Sequence, residues 1–99
     1  MDLNYILIYL KEEIVMLEEK LKETTKIMES EDWKDRFKAE YLQLCARLDK
    51  LESVLKKYDA GELEWEFKSP VELLRQQADY MNNYKVILEQ RATYEDVEL

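Results

Sequence analysis

Phe37, Tyr41, Leu44, Leu48, Leu51, Leu55 and Tyr58 follow one another at spacings of four and three. A seven-residue apolar repeat held this long is the pattern of a helix packed with left-handed crossing against other helices. It ends in order. Lys56 and Lys57 stand where cations suit a helix C-terminus, and Gly61 can adopt the left-handed conformation that stops the helix. Gly61 is the one glycine and Pro70 the one proline. That scarcity argues against hairpins, sandwiches and glycine-rich phosphate loops.

Two more helices flank this one. Leu3, Ile6, Leu10, Ile14, Leu17, Leu21 and Met28 form a stripe, and Leu7, Ile8, Val15 and Met16 lie off it. Apolar side chains on several faces suggest two packing partners. The stripe loses phase near Ser30. There Ser30 reads as an N-cap followed by the acids Glu31 and Asp32, with Asp32–Arg36 and Glu52–Lys56 supporting the outer face. One long kinked helix is the alternative. The third helix opens with "SPVE", which sets Ser69 as N-cap, Pro70 first and Glu72 three after the cap. It carries two stripes: Leu74, Ala78, Met81, Leu88, Ala92, and beside it Leu73, Tyr80, Tyr84, Ile87, Tyr94. The expected fold is all-α: three long helices, about 2–28, 31–59 and 70–95, in an antiparallel bundle forming a single domain, 1–99. At about 1.5 Å per residue the helices are of similar length, which suits an up-down-up bundle or a hairpin that bundles with copies of itself.

"AGELEWEFKSPVELL" interrupts this pattern. Leu63, Trp65 and Phe67 alternate with charged residues, which predicts a short extended ribbon at 62–68. An isolated strand is unstable in water. The ribbon either straps onto the helices or pairs with its copy in another subunit.

Composition narrows the function. The net charge of −8 disfavours DNA or RNA as partner, because phosphate backbones are bound by clustered Lys and Arg. The apolar run from Tyr5 to Leu10 is too short to span a membrane, and no membrane role is expected. A lone cysteine, Cys45, cannot form an internal disulfide and reads as a helix-packing residue, consistent with a cytoplasmic location. Without histidine the chain lacks the commonest general base and the usual zinc ligand. The paired acids read as solvated helix faces. No enzyme, metal or cofactor is expected.

Helix three offers a ligand face. Arg75 and Arg91 could meet the phosphates of a small anionic nucleotide. Tyr80 or Tyr84 could stack on a base, and Gln76 and Asn83 could supply hydrogen bonds. Trp65 and Phe67 could close over it as a lid. The same Tyr- and Arg-rich composition also marks subunit interfaces, and a homo-oligomer is expected.

The elements "KYDAGELEWEF", "SPVELLRQQ", "YKVILEQRA", the Tyr41-Leu44-Leu48-Leu51 run and the "EL" ending together resemble a family of small bacteriophage proteins first described from a crAssphage genome. The similar part is about 33–99, and 1–32 is less family-like. The resemblance implies a non-enzymatic phage accessory protein in the infected bacterial cytoplasm. By analogy, such a protein could sequester a cyclic or ADP-ribose-derived nucleotide used in host immune signalling. The competing expectations are a helical protein that binds a host or phage protein, and a structural assembly component.

Overall fold

A computed structural model describes the backbone of residues 3–99 and the side chains from residue 16 onward. The fold is all-α: α1 (Leu3–Met28), α2 (Trp33–Asp59) and α3 (Val71–Tyr94) pack together, and among the described residues there is no strand.

The chain does break near Ser30, so α1 and α2 are separate helices. The cap, however, is Asp32 and not Ser30. Asp32 adopts extended dihedrals and its carboxylate accepts from the Lys34 N–H at 2.9 Å. Ser30 works one step upstream: its hydroxyl accepts from the Asp32 N–H at 3.2 Å and donates to Asp35 at 2.8 Å. Arg36 does not pair with Asp32. Its guanidinium instead donates to the carbonyls of Ser30 and Glu31, both at 2.8 Å. Side chains, rather than glycine or proline, satisfy the turn's polar groups.

Gly61 closes α2. At φ +70° it takes the left-handed conformation, Gly61 N–H donates to Tyr58 and Glu62 N–H donates to Lys57. This is the paired C-terminal bonding that absorbs orphan carbonyls. The start of α3 departs from expectation. Its first helical residue is Val71, Pro70 takes the cap position, and no side chain caps it. Ser69 and Glu72 therefore form no capping box. At the other end Asp96 is left-handed at φ +54°, and Val97 N–H donates to Ala92 at 2.9 Å. That turn folds Val97 back into the core.

The heptad stripe of α2 is the floor of that core. One cluster joins Phe37 and Leu44 to Leu88, Ala92 and Val97. The next joins Leu48 and Leu55 to Ala78, and Met81 packs against both. Leu48 and Leu88 are 2% and 1% exposed. α2 and α3 run antiparallel, as the bond from Lys34 Nζ to the Asp96 carbonyl requires. On the other side of α2, Ala46 lines a groove with Met16 and Leu17 of α1. Thr24 is buried in α1 and returns its hydroxyl to the Leu21 carbonyl at 2.8 Å. The off-stripe residues Leu7, Ile8 and Val15 lie outside the described side chains.

The packing is more open than a closed three-helix bundle. Among the described residues, no α1 Cα comes within 8 Å of an α3 Cα. α2 lies between these two neighbours. The molecule measures 46 × 27 × 21 Å with a radius of gyration of 16.0 Å, against roughly 13 Å for a compact domain of this length.

The 62–68 segment is not a β-ribbon. It runs through bends at 64–65 and 68–69. Its aromatics fold back as a strap: Phe67 lies 5.4 Å from the Tyr58 ring and 5.0 Å from Trp65, centroid to centroid. The alternation arises because Leu63 and Phe67 are half-buried while the acids between them are exposed.

Candidate functional site

The two apolar stripes of α3 have separate fates. Leu74, Ala78, Met81, Leu88 and Ala92 turn to α2. Leu73, Tyr80, Tyr84, Ile87 and Tyr94 face outward, with Tyr80 73% exposed and Tyr94 89% exposed. Val86 joins them. A row of this kind on one helix is a contiguous apolar surface, of the sort that marks interaction sites. Gln76, Tyr80 and Tyr84, with Leu73, Gln77 and Met81, line a shallow hollow of about 510 Å³. The sequence-proposed residues Gln76, Tyr80 and Tyr84 are thus brought together. Asn83 is exposed on the same helix but does not line the hollow. The Tyr84 hydroxyl donates to the Glu40 carboxylate, which anchors that ring to α2.

The two arginines are not brought together within one chain. Sixteen residues of helix put them roughly 24 Å apart. Each already has an anionic partner. Arg75 makes a two-pronged bond to Asp59 at 2.6 and 3.1 Å and lies 3.6 Å from Glu72. The Arg75 hydrogen bonds hold the Asp59 carboxyl below its ordinary range. Arg91 pairs with Glu95 at 3.0 Å and its guanidinium sits 5.0 Å over the Phe37 ring. Trp65 and Phe67 lie apart from the Tyr80 hollow. With Leu51, Val54 and Leu74 they line a separate hollow of about 380 Å³. Arg47, Lys50 and Lys68 stand around that second hollow. Sequence reasoning missed these three; the one local signal was Arg47 and Lys50 at i,i+3 on α2.

Nothing in the described surface resembles reacting machinery. Among the described residues, Tyr41 is the one strongly perturbed group: burial above all, helped by Cys45 and Glu89, pushes its hydroxyl well above the ordinary tyrosine range. It donates to Glu89 at 3.1 Å and stays protonated, a structural tie between α2 and α3. Cys45 is a free, half-buried thiol beside it. Among the described residues no group of three or more His, Cys, Asp or Glu could hold a metal ion. Nor is any described helix long and apolar enough to cross a membrane.

Fold and surface together define a small all-helical protein that offers a receptive face. Residues 31–94 match the Sequestin family, which is 64 of 99 residues, and the chain belongs to that family. The match begins at the turn before α2 and ends with α3, so it covers the α2–strap–α3 hairpin. No curated protein and no solved structure matches the chain.

Proposed function

We propose that the protein is a non-catalytic sequestering protein of bacteriophage origin, which counters host immunity by holding a small cyclic or ADP-ribose-derived nucleotide signal. The family, named for sequestration, supports binding rather than turnover. The observation that carries the ligand reading is the Gln76–Tyr80–Tyr84 hollow on an α3 face that stays exposed among the described residues. Aromatic rings there offer stacking surfaces and the amide offers donors and an acceptor.

Only Arg91 enters this reading through self-association. Two α3 helices paired antiparallel about a two-fold at Asn83 carry Arg91 to the edge of the other copy's tyrosine face, whereas Arg75, about 160° around the helix from Arg91, stays on the other side with Asp59. That pairing also covers the outward apolar stripe, and an isologous interface is the commonest way for identical chains to meet. A nucleotide then competes with Glu95 for the Arg91 guanidinium.

Calorimetry with cyclic and ADP-ribose-derived nucleotides tests the reading, with mass measured in solution. Tyr80→Ala, a change at an exposed position, should abolish binding while the helical fold persists. If no nucleotide binds the wild-type protein, the second reading takes over. That reading is a helical protein that docks a host or phage protein on the same face, and the exposed aliphatics Leu73 and Ile87 favour it.

A further inference from the structure

The hollow beside the strap is chemically unlike the Tyr80 face. We propose that it is an anion site for a phosphate monoester carrying a flat aromatic ring, a mononucleotide in size and kind. It shares no lining residue with the Tyr80 hollow, and it stands whether or not α3's outer face binds anything.

Three observations carry the assignment. The first is the sorting of charge. In a chain of net charge −8, Arg47, Lys50 and Lys68 line this hollow and no carboxylate does. The acids next to them in sequence are turned elsewhere. Glu66 lines a neighbouring hollow that shares Trp65, Phe67 and Ser69 with this one but not its cations. Asp49 lines two other grooves along α2, the first of which Lys50 also borders.

The second is that these cations are unspent. Every other arginine is held within the chain: Arg36 on the Ser30 and Glu31 carbonyls, Arg75 on Asp59, Arg91 on Glu95. Among the described residues, Arg47, Lys50 and Lys68 have no hydrogen bond or ion pair. An arginine fork without a carboxylate is preorganised for a phosphate's paired oxygens, and the lysines add charge without fixed geometry.

The third is the aromatic wall. Trp65 is half in solvent and is braced edge-on by Phe67 at 5.0 Å, with an interplanar angle of 89°. A braced, exposed indole is a stacking surface for a base. The Ser69 hydroxyl adds a neutral donor at the same rim. The volume of about 380 Å³ falls within the range of small-molecule sites.

The chain's two tryptophans allow a direct test. In a Trp33→Phe background, which keeps an aromatic ring beside Phe37, fluorescence reports on Trp65 alone. Adenosine 5′-monophosphate should quench it saturably, and the affinity should fall as salt is raised. Adenosine and inorganic phosphate should each bind at least about tenfold more weakly, since each keeps half of the recognition. Arg47→Ala with Lys50→Ala and Lys68→Ala should weaken the monophosphate at least about tenfold, with the helical circular dichroism unchanged. Tyr80→Ala should leave it unaltered, which separates this site from the one under Proposed function. Absence of saturable quenching, equal binding of adenosine, or unchanged binding by the triple variant would each overturn the assignment. If the cyclic-nucleotide calorimetry fails while this titration succeeds, the α3 reading is lost and this site remains.

Discussion

Gly61 shows how one residue without a side chain ends a helix of 27 residues. A Cβ built there meets no atom within 4 Å, so space is not the reason for glycine. The reason is φ +70°, which an L side chain adopts at a cost of about 1 kcal/mol. Gly61→Ala should therefore lower stability by about 1 kcal/mol in urea titration with the fold unchanged. A loss of several kcal/mol would mean that the strap depends on this turn more than the geometry shows. Asp59, two residues earlier, gives a pH prediction. Its carboxyl is held below the ordinary aspartate value of 3.8 by the Arg75 hydrogen bonds. A depressed pKa stabilises the fold above the unfolded value and stops doing so as pH falls through the folded one. Asp59→Asn should thus reduce stability slightly at neutral pH and leave it little changed below the ordinary carboxylate range. The pair is solvent-exposed, so the effect is small. Equal losses at neutral and strongly acidic pH would contradict the linkage.

At the scale of elements, the stripes were the legible part. Burial on α2 follows the heptad toward α3 as far as Leu55, and a second row, Ala39 and Ala46, is buried as well. Leu48→Asp places an unpaired charge in the heptad row at 2% exposure and should cost more than about 3 kcal/mol, read as loss of cooperative thermal unfolding. The two stripes of α3 looked equal in sequence. Periodicity tells which residues share a face, but not which face has a partner, and only Leu74–Ala92 found one. The caps misled for a related reason. Ser30 and Asp32 are both good capping residues, and the choice fell to a three-dimensional fit with Asp35 and Arg36. The ligand residues were picked by type. Arg91 had Glu95 one turn ahead, a visible sign that it would be occupied, whereas Asp59 reaches Arg75 only once the strap is folded. The strap also brings Lys68 and Trp65 to Arg47 and Lys50, a meeting no local pattern encodes. The outward stripe makes its own prediction. Ile87→Glu should leave helicity intact, because the side chain is 53% exposed, and should halve the solution mass if α3 is the contact between copies. Light scattering that gives a monomer for the wild type at tens of micromolar removes that contact altogether.

For the whole molecule, the decisive feature is that α2 lies between two helices whose Cα atoms, among the described residues, stay more than 8 Å apart. A closed bundle melts as one unit because every helix supports every other. Here the middle helix is the common wall, and each outer helix answers to it alone. Stability should then divide as it does in stacked repeats, with nearest-neighbour terms. Leu88→Ala, deep in the α2–α3 contact at 1% exposure, should cost about 2–5 kcal/mol. In native-state hydrogen exchange it should speed the amides of α3 far more than those of residues 16–28 on the far side. An equal acceleration on both sides would mean that the wall does not insulate. If it does, the molecule can loosen one flank around a guest while the other keeps its shape, so that capture at α3 need not be felt at α1.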